Sequence, residues 1–313
     1  VRMMADVASF EQLLALDYGG IRVGKYAAST ALRHLRVGRL DLTNQAVRDA
    51  LLPFLQRSLS YAKAAQNIVK TVRPQLVLSV DLGYSPRGEL FDVCLAAGLE
   101  TITWNAAHKN NQLMLKRYSR ANRDVHPASL SVRTWHDLQA QPWTHAERER
   151  LRRELVGSYL SGEWYGEVGT QFHTTLQEAA EIRQALDLDD RKKTAVIFSH
   201  IFWDGTFFYG TDLFGSYEEW FVETMKVACA NPHLNWIVKI HPANIVKNVR
   251  DGVGSEPSEL TAIRSLGETL PAHVRVVQPD SRMSTLSLYS VMDYCVTVRG
   301  TVGIEAASFG IPV

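Results

Sequence analysis

Apolar residues recur at helical spacing from Leu42 to Val72, through Leu51, Leu55, Leu59, Ala62 and Ile68, which predicts one long helix or two, ended by Pro74. Gln75 to Val80 (QLVLSV) then reads as a buried strand, closed by Asp81-Leu-Gly83. Gly88 to Ala97 is a predicted helix with Gly98 at its end, and Glu100 to Trp104 is the next strand. Helix, strand, helix, strand at these short intervals implies parallel βαβ topology. Ahead of this, Phe10 to Leu16 suits helix or strand. The segment from Tyr18 to Gly24 is glycine-rich without forming GxGxxG, and reads best as a turn opening the Ala27 to Leu35 helix. Residues 109 to 145 are polar and carry Arg117, Arg120, Arg123, His126, Trp135 and Trp143; irregular structure with short helices is expected there. Thr144 to Leu188 is mostly helical, opened by the capping box Thr144-His-Ala-Glu147.

From residue 194 the pattern changes to short apolar runs separated by helices. Thr194 to Ser199 (TAVIFS), Asn235 to Ile240 (NWIVKI), His273 to Val277 and Tyr294 to Val298 are the expected strands of a parallel sheet buried on both faces. Between them come a helix opened by Ser216-Tyr-Glu-Glu219 and running through Ala230, a loop from Gly252 to Glu259, and a helix from Leu260 to Leu266. A further helix runs from Asp280-Ser-Arg-Met-Ser284 through Met292. After the last strand, Arg299-Gly300-Thr301 turns the chain into a short helix expected to carry Ile304, Ala307 and Phe309 inward. Gly310 suits a left-handed helix end and Pro312 stops the helix. The expected division is an α/β domain over 1–145, a helical connector over 146–190 and a Rossmann-like domain over 191–313. A doubly wound domain normally continues past the strand that begins at Val313, so a further carboxyl-terminal portion is expected.

Composition narrows the class. The chain has 313 residues, 46% hydrophobic and 21% charged, as in a globular protein with a sizeable core. A net charge of +1, with no basic run interleaved with aromatics, argues against nucleic acid as the main partner. Cys94, Cys229 and Cys295 lie far apart in apolar segments and read as reduced core residues of a cytoplasmic protein. No run is long enough to span a bilayer, which leaves peripheral contact at the inner face of the membrane open. The sequence gives no reading of oligomeric state. Asp187-Leu-Asp189 forms a DxD, but it stands in a charged turn before a strand, so no metal is inferred from it.

Three loops at strand carboxyl ends converge on one edge of the second sheet: His200 to Asp204, His241-Pro242 and Arg299 to Thr301. Two imidazoles, a guanidinium, a carboxylate and a helix amino terminus suit a nucleotide phosphate and a leaving group on which negative charge grows. His241 can hydrogen-bond or protonate that phosphate, and Arg299 can neutralise it. Gly300 and Thr301 offer backbone N–H groups and a hydroxyl. His200 either joins them or holds its loop. Glu305 reads as a ribose ligand or as a solvated helix residue. Asp204 reads as a base or as the start of an Asp-Gly turn. Asp81, with Asn105 and His108 near it in the first domain, reads as a base or as a capping carboxylate. Lys239 points away from the edge if strand alternation holds.

The pattern KIHPA, followed later by a strand and RGTVGIEAASFGIPV, resembles the donor domain of GT-B glycosyltransferases. It is similar in particular to the bacterial capsule polysaccharide biosynthesis family, which includes capsular Kdo transferases. The His-Pro is also similar to that of bacterial sialyltransferases, where a paired-acid-Gly motif and a His-Pro motif cooperate around a CMP-sugar. Here Trp203-Asp204-Gly205 matches only the last acid and the glycine of that pair. The resemblance covers residues 194 to 313, and the first domain by topology alone.

It implies two Rossmann-like domains with parallel sheets facing a cleft, the nucleotide-sugar on the second and a glycan or lipid-linked acceptor on the first. It implies glycosyl transfer to a hydroxyl without a metal or other cofactor, in surface polysaccharide synthesis, CMP-linked donors being among the candidates. His241, Arg299 and Thr301 would hold the donor phosphate, Glu305 the ribose, and Asp204 or Asp81 would act as base. Three other readings compete: a polymer glycerophosphate transferase, a nucleotide-sugar 2-epimerase, and a degenerate transferase domain retained for binding. The missing glycine fingerprint disfavours a nicotinamide dehydrogenase.

Overall fold

The computed structural model describes residues 7–107, 112–161, 175–204, 207–208, 213–250, 252, 256–267 and 269–313, without the side chains of residues 246, 247, 249 and 250. The chain separates into two compact units. The first comprises 1–107, 111–131 and 203–216; the second comprises 108–110, 132–202 and 217–313. These limits differ from the expected division. The connector belongs wholly to the second unit, and the segment after the first strand of the second sheet belongs to the first.

The first unit opens with three helices, α1 (Phe10–Leu14), α2 (Val23–Leu35) and α3 (Gln45–Val72). Ser9 caps α1 in a full capping box with Gln12. Helix α3 is a single helix that runs through Pro53, burying Leu51, Phe54, Leu55, Ser58, Ala62 and Ala65. Then follow β1 (Leu76–Val80), α4 (Arg87–Ala96), β2 (Glu100–Ala106) and β3 (Leu113–Tyr118). The sheet order is β1-β2-β3. β1 and β2 are parallel, but β3 returns antiparallel to β2, pairing Thr101 with Tyr118 and Ala106 with Leu113. Irregular structure was expected over β3, and an all-parallel sheet in this unit. Both expectations are corrected. The strand LMLKRY alternates exposed and covered positions, but its apolar residues do not follow that alternation: Leu113 and Leu115 fall on the open face, 62% and 67% exposed. The covered face of this sheet carries Ser79, Thr101 and Thr103, while Leu76, Leu78 and Trp104 share the open face with those two leucines.

In the second unit come α5 (Val132–Gln139), α6 (His145–Ser161), α7 (Ala179–Ala185), β4 (Thr194–Phe198), α8 (Tyr217–Ala230), β5 (Asn235–Lys239) and α9 (Ala243–Arg250). α10 (Ser258–Ser265), β6 (Val274–Val277), α11 (Thr285–Leu288), β7 (Tyr294–Val296) and α12 (Thr301–Ser308) complete it. The expected box opens α6: Glu147 accepts from the Thr144 N–H at 2.8 Å, and its own N–H donates to the Thr144 hydroxyl at 3.3 Å. All four expected strands form, every pair parallel, in the order β6-β5-β4-β7. In chain order this is third, second, first, fourth, the arrangement of doubly wound α/β sheets. β4 and β5 are buried along their whole length, which is why their centres, AVIF and WIV, read as continuous apolar runs. Val196, Ile237, Cys295, Leu288, Met292 and Ala306 form the core on one face. All three cysteines are free; Cys94 and Cys295 are buried, but Cys229 is only half-buried.

Candidate functional site at the carboxyl edge of the parallel sheet

Because the second sheet is parallel throughout, the carboxyl ends of β4, β5 and β7 lie along one edge. With strands spaced about 4.8 Å apart, the loops after β5 and β7 are about 10 Å from each other across β4. The strand order reverses between β4 and β7, so the edge includes a topological switch point, where open α/β sheets bind ligands. His200, His241, Arg299, Gly300 and Thr301 are thus gathered on one edge of one unit, as expected.

Local bonding fixes these loops. Ser199, which ends the β4 run and was not singled out from sequence, takes the His241 N–H on its hydroxyl at 3.0 Å and gives its own N–H to the Lys239 carbonyl at 3.1 Å. The β4 and β5 ends are thereby stitched together. The His241 ring accepts the Ala243 N–H on Nδ1 at 3.2 Å, which leaves its ring proton on Nε2. The His200 ring packs at a tilt against Tyr217 with centroids 4.1 Å apart, and its Nδ1 lies 3.1 Å from the Ile201 carbonyl. Those contacts favour the loop-holding alternative for His200. Lys239 is 2% exposed and its Nζ donates to the Met283 carbonyl at 2.7 Å. Burial lowers its ammonium to about 8.

At the β7 turn, Arg299 adopts φ +53°, a left-handed conformation uncommon for a side chain of its size. Gly300 follows as the amino-terminal cap of α12, and a Cβ there would lie 2.7 Å from the Thr297 hydroxyl. A side chain at this position would have to displace that hydroxyl. Gly300 offers no capping side chain, and among the described residues no side chain accepts from the first N–H groups of α12.

Helix α12 presents a different face from the one expected. Ile304 is 68% exposed and Ala307 is exposed, while Glu305 and Ala306 are the buried positions. The Glu305 carboxylate is 4% exposed, and its Oε2 accepts the hydroxyls of Tyr159 at 2.6 Å and Tyr289 at 3.0 Å. It is therefore not a solvated helix residue, and it is engaged by two phenols in the interior.

The two candidate bases stand in the first unit. Asp204 accepts the Tyr84 hydroxyl at 2.7 Å, and its neighbour Trp203 is 2% exposed beneath the Arg36 guanidinium at 4.1 Å. Phe208 of the same segment stacks on Tyr26 at 5.4 Å. Asp81 has φ +57° and accepts the Gly83 N–H on Oδ1 at 3.1 Å, with Arg87 3.8 Å away. Asp81 thus closes its own turn and does not take the helix-capping role weighed for it, the following helix being capped at Pro86 without a side-chain bond. His108 and Gly205 lie outside the described residues. In the DxD, Asp187 faces Arg275 at 2.8 Å and Asp189 faces Arg191 at 2.9 Å.

Sequence reading also missed a buried pair behind the His-Pro turn. Asn244 and Glu259 are 2% and 1% exposed, and the amide of Asn244 donates to Glu259 Oε1 at 2.7 Å. Burial pushes the Glu259 carboxyl up to about 7. Glu259 stood at the edge of a loop in the sequence pattern, and only its removal from water marks it.

The fold defines an α/β protein whose second unit carries a fully parallel sheet with a ligand-type edge. No protein-family model matches the chain, and no curated protein matches it. No helix among the described residues is long and apolar enough to cross a membrane.

Proposed function

We propose that this chain is a GT-B-type glycosyltransferase that moves a sugar from a nucleotide-sugar donor to a hydroxyl of a glycan or lipid-linked acceptor in surface polysaccharide synthesis, without a metal. One observation carries the reading: the His241-Pro242 turn and the Arg299-Gly300-Thr301 turn end the two strands that flank β4, at the same edge. The KIHPA and RGTVGIEAASFGIPV motifs supply those same turns.

In this reading the donor phosphate lies at the start of α12, where uncapped N–H groups and the helix dipole favour an anion. Arg299 neutralises the charge that grows on the leaving phosphate, and Nε2–H of His241 donates to one of its oxygens. Asp204 or Asp81 takes the proton of the acceptor hydroxyl.

The experiment is a thermal-shift screen of the chain against CMP-, UDP-, GDP- and CDP-linked compounds, repeated with His241→Ala. A nucleotide-dependent rise in Tm that disappears in the variant is expected. Absence of any shift across the panel overturns the function, and a shift that survives His241→Ala removes this histidine from the donor pocket.

A further inference from the structure

Two buried side chains hold the His241-Pro242 turn from behind. Asn244 sits at the start of α9 and Glu259 at the start of α10, so the contact joins separate elements. Through one amide nitrogen Asn244 donates both to Glu259 Oε1 at 2.7 Å and to the His241 carbonyl at 3.3 Å. Its backbone N–H donates to the same carbonyl at 3.3 Å. On the ring side the Ala243 N–H reaches His241 Nδ1 at 3.2 Å, and on the strand side the His241 N–H reaches Ser199 at 3.0 Å. Every backbone polar group of His241 is thereby held, and so is one ring nitrogen.

A carboxyl at 1% exposure with a neutral amide as its side-chain partner is an expensive way to fill space. An apolar side chain of similar size would pack there without desolvation. What the carboxyl supplies and an apolar group does not is an acceptor that fixes the direction of the Asn244 amide.

We propose that Glu259, acting through Asn244, is a positioning residue for His241: the pair locks the His-Pro turn so that the imidazole keeps its Nε2–H form and its aim along the carboxyl edge. The identity of the ligand at that edge rests on the nucleotide-sugar reading; the clamp itself does not. Neither Asn244 nor Glu259 touches the ligand.

The test pairs a readout of the ring with a readout of binding, in the full chain. Long-range 15N correlation spectra of the imidazole report the tautomer of His241, and calorimetry with the nucleotide chosen by the screen reports affinity. Glu259→Gln keeps a carbonyl acceptor for Asn244 and is expected to preserve both readouts. Glu259→Leu removes the acceptor and is expected to give mixed tautomers and about tenfold weaker nucleotide binding, the loss typical of one misaligned hydrogen bond. An unchanged tautomer and affinity in folded Glu259→Leu overturns the proposal. If that variant does not fold, the side-chain amide protons of Asn244 in the unaltered protein decide: slow hydrogen exchange is expected, and fast exchange overturns the clamp. If no nucleotide binds at all, the functional reading fails while the tautomer readout still judges the clamp.

Discussion

The phenol of Tyr159, on α6, donates to the carboxylate of Glu305, on α12, at 2.6 Å. Burial, and then the charge of Glu305, push that phenol well above its ordinary value, so it remains a donor at any physiological pH. Removing one phenol weakens the pair. Tyr159→Phe is expected to lower stability by about 1–2 kcal/mol. Removing the acceptor takes their shared partner from two buried hydroxyls, and Glu305→Ala is expected to cost about 3 kcal/mol or more. Glu305→Gln, which can still accept from both, should lose less than either. Urea unfolding of the three variants checks the order, and equal stability of Glu305→Ala and the unaltered chain would refute it.

Asp204 and Asp81 divide the base question between them. Asp204 accepts from the Tyr84 hydroxyl, a side-chain contact across 120 residues of chain, whereas Asp81 closes its own turn onto Gly83. Under the proposed function Asp204→Asn is expected to lower transfer by a factor of about 10²–10⁴, as loss of a general base does, with donor affinity retained. Asp81→Asn keeps a side-chain oxygen for the Gly83 N–H and should leave transfer near its original rate. A transfer assay alongside calorimetry separates the two, and a reversed ranking would reassign the base to Asp81.

How far the sequence reached depends on what each feature announces locally. β4 and β5 are buried on both faces, so AVIF and WIV at their centres are continuous apolar runs, and the edge loops after them followed directly. β3 carries two exposed leucines and two basic residues, a pattern that periodicity assigns to nothing. The face of α12 was inverted because hydrophobicity favours burying Ile304, while the actual choice is made by hydrogen bonds to Glu305. Its partners Tyr159 and Tyr289 stand 146 and 16 residues away, beyond the reach of any local pattern. The same limit hid Tyr84 beneath Asp204 and Asn244 beside Glu259. Side chains that act through distant partners are silent in sequence, while strand ends are not.

Arg22 supports the first unit from its interior. It is 9% exposed and reaches Asp92 through Nε at 3.0 Å and Nη2 at 2.8 Å, Asp124 through Nη1 at 2.7 Å, and the Tyr26 hydroxyl at 3.0 Å. Asp92 is 1% exposed, so Arg22→Met leaves a buried carboxylate whose nearest remaining guanidinium is Arg123, 4.0 Å away. A loss of about 3–5 kcal/mol is expected, the usual result of breaking a buried ion pair from one side. Adding Asp92→Leu should recover part of it, because the stranded charge is then gone. Chemical denaturation of the two single variants and the double variant measures the coupling, and strict additivity would show that the two groups do not act as a pair.

Glu259 makes stability depend on pH in a direction opposite to that of most carboxylates. Its folded-state value of about 7 lies above the ordinary 4.5, with burial the largest cause. Between these values the folded chain holds a proton that the unfolded chain has released. Stability therefore falls as pH rises from about 4.5 to about 7 and levels off above that, by up to about 3 kcal/mol in all. Glu259→Gln carries no charge to bury and keeps the acceptor for Asn244. It should match the unaltered chain near pH 4.5, exceed it at pH 8, and remove this component of the slope between. Urea midpoints at half-unit pH steps for both proteins give the difference directly. A difference that is flat across the window would mean that Glu259 is ionised in the folded state throughout, and that its burial is compensated by charge rather than by a proton.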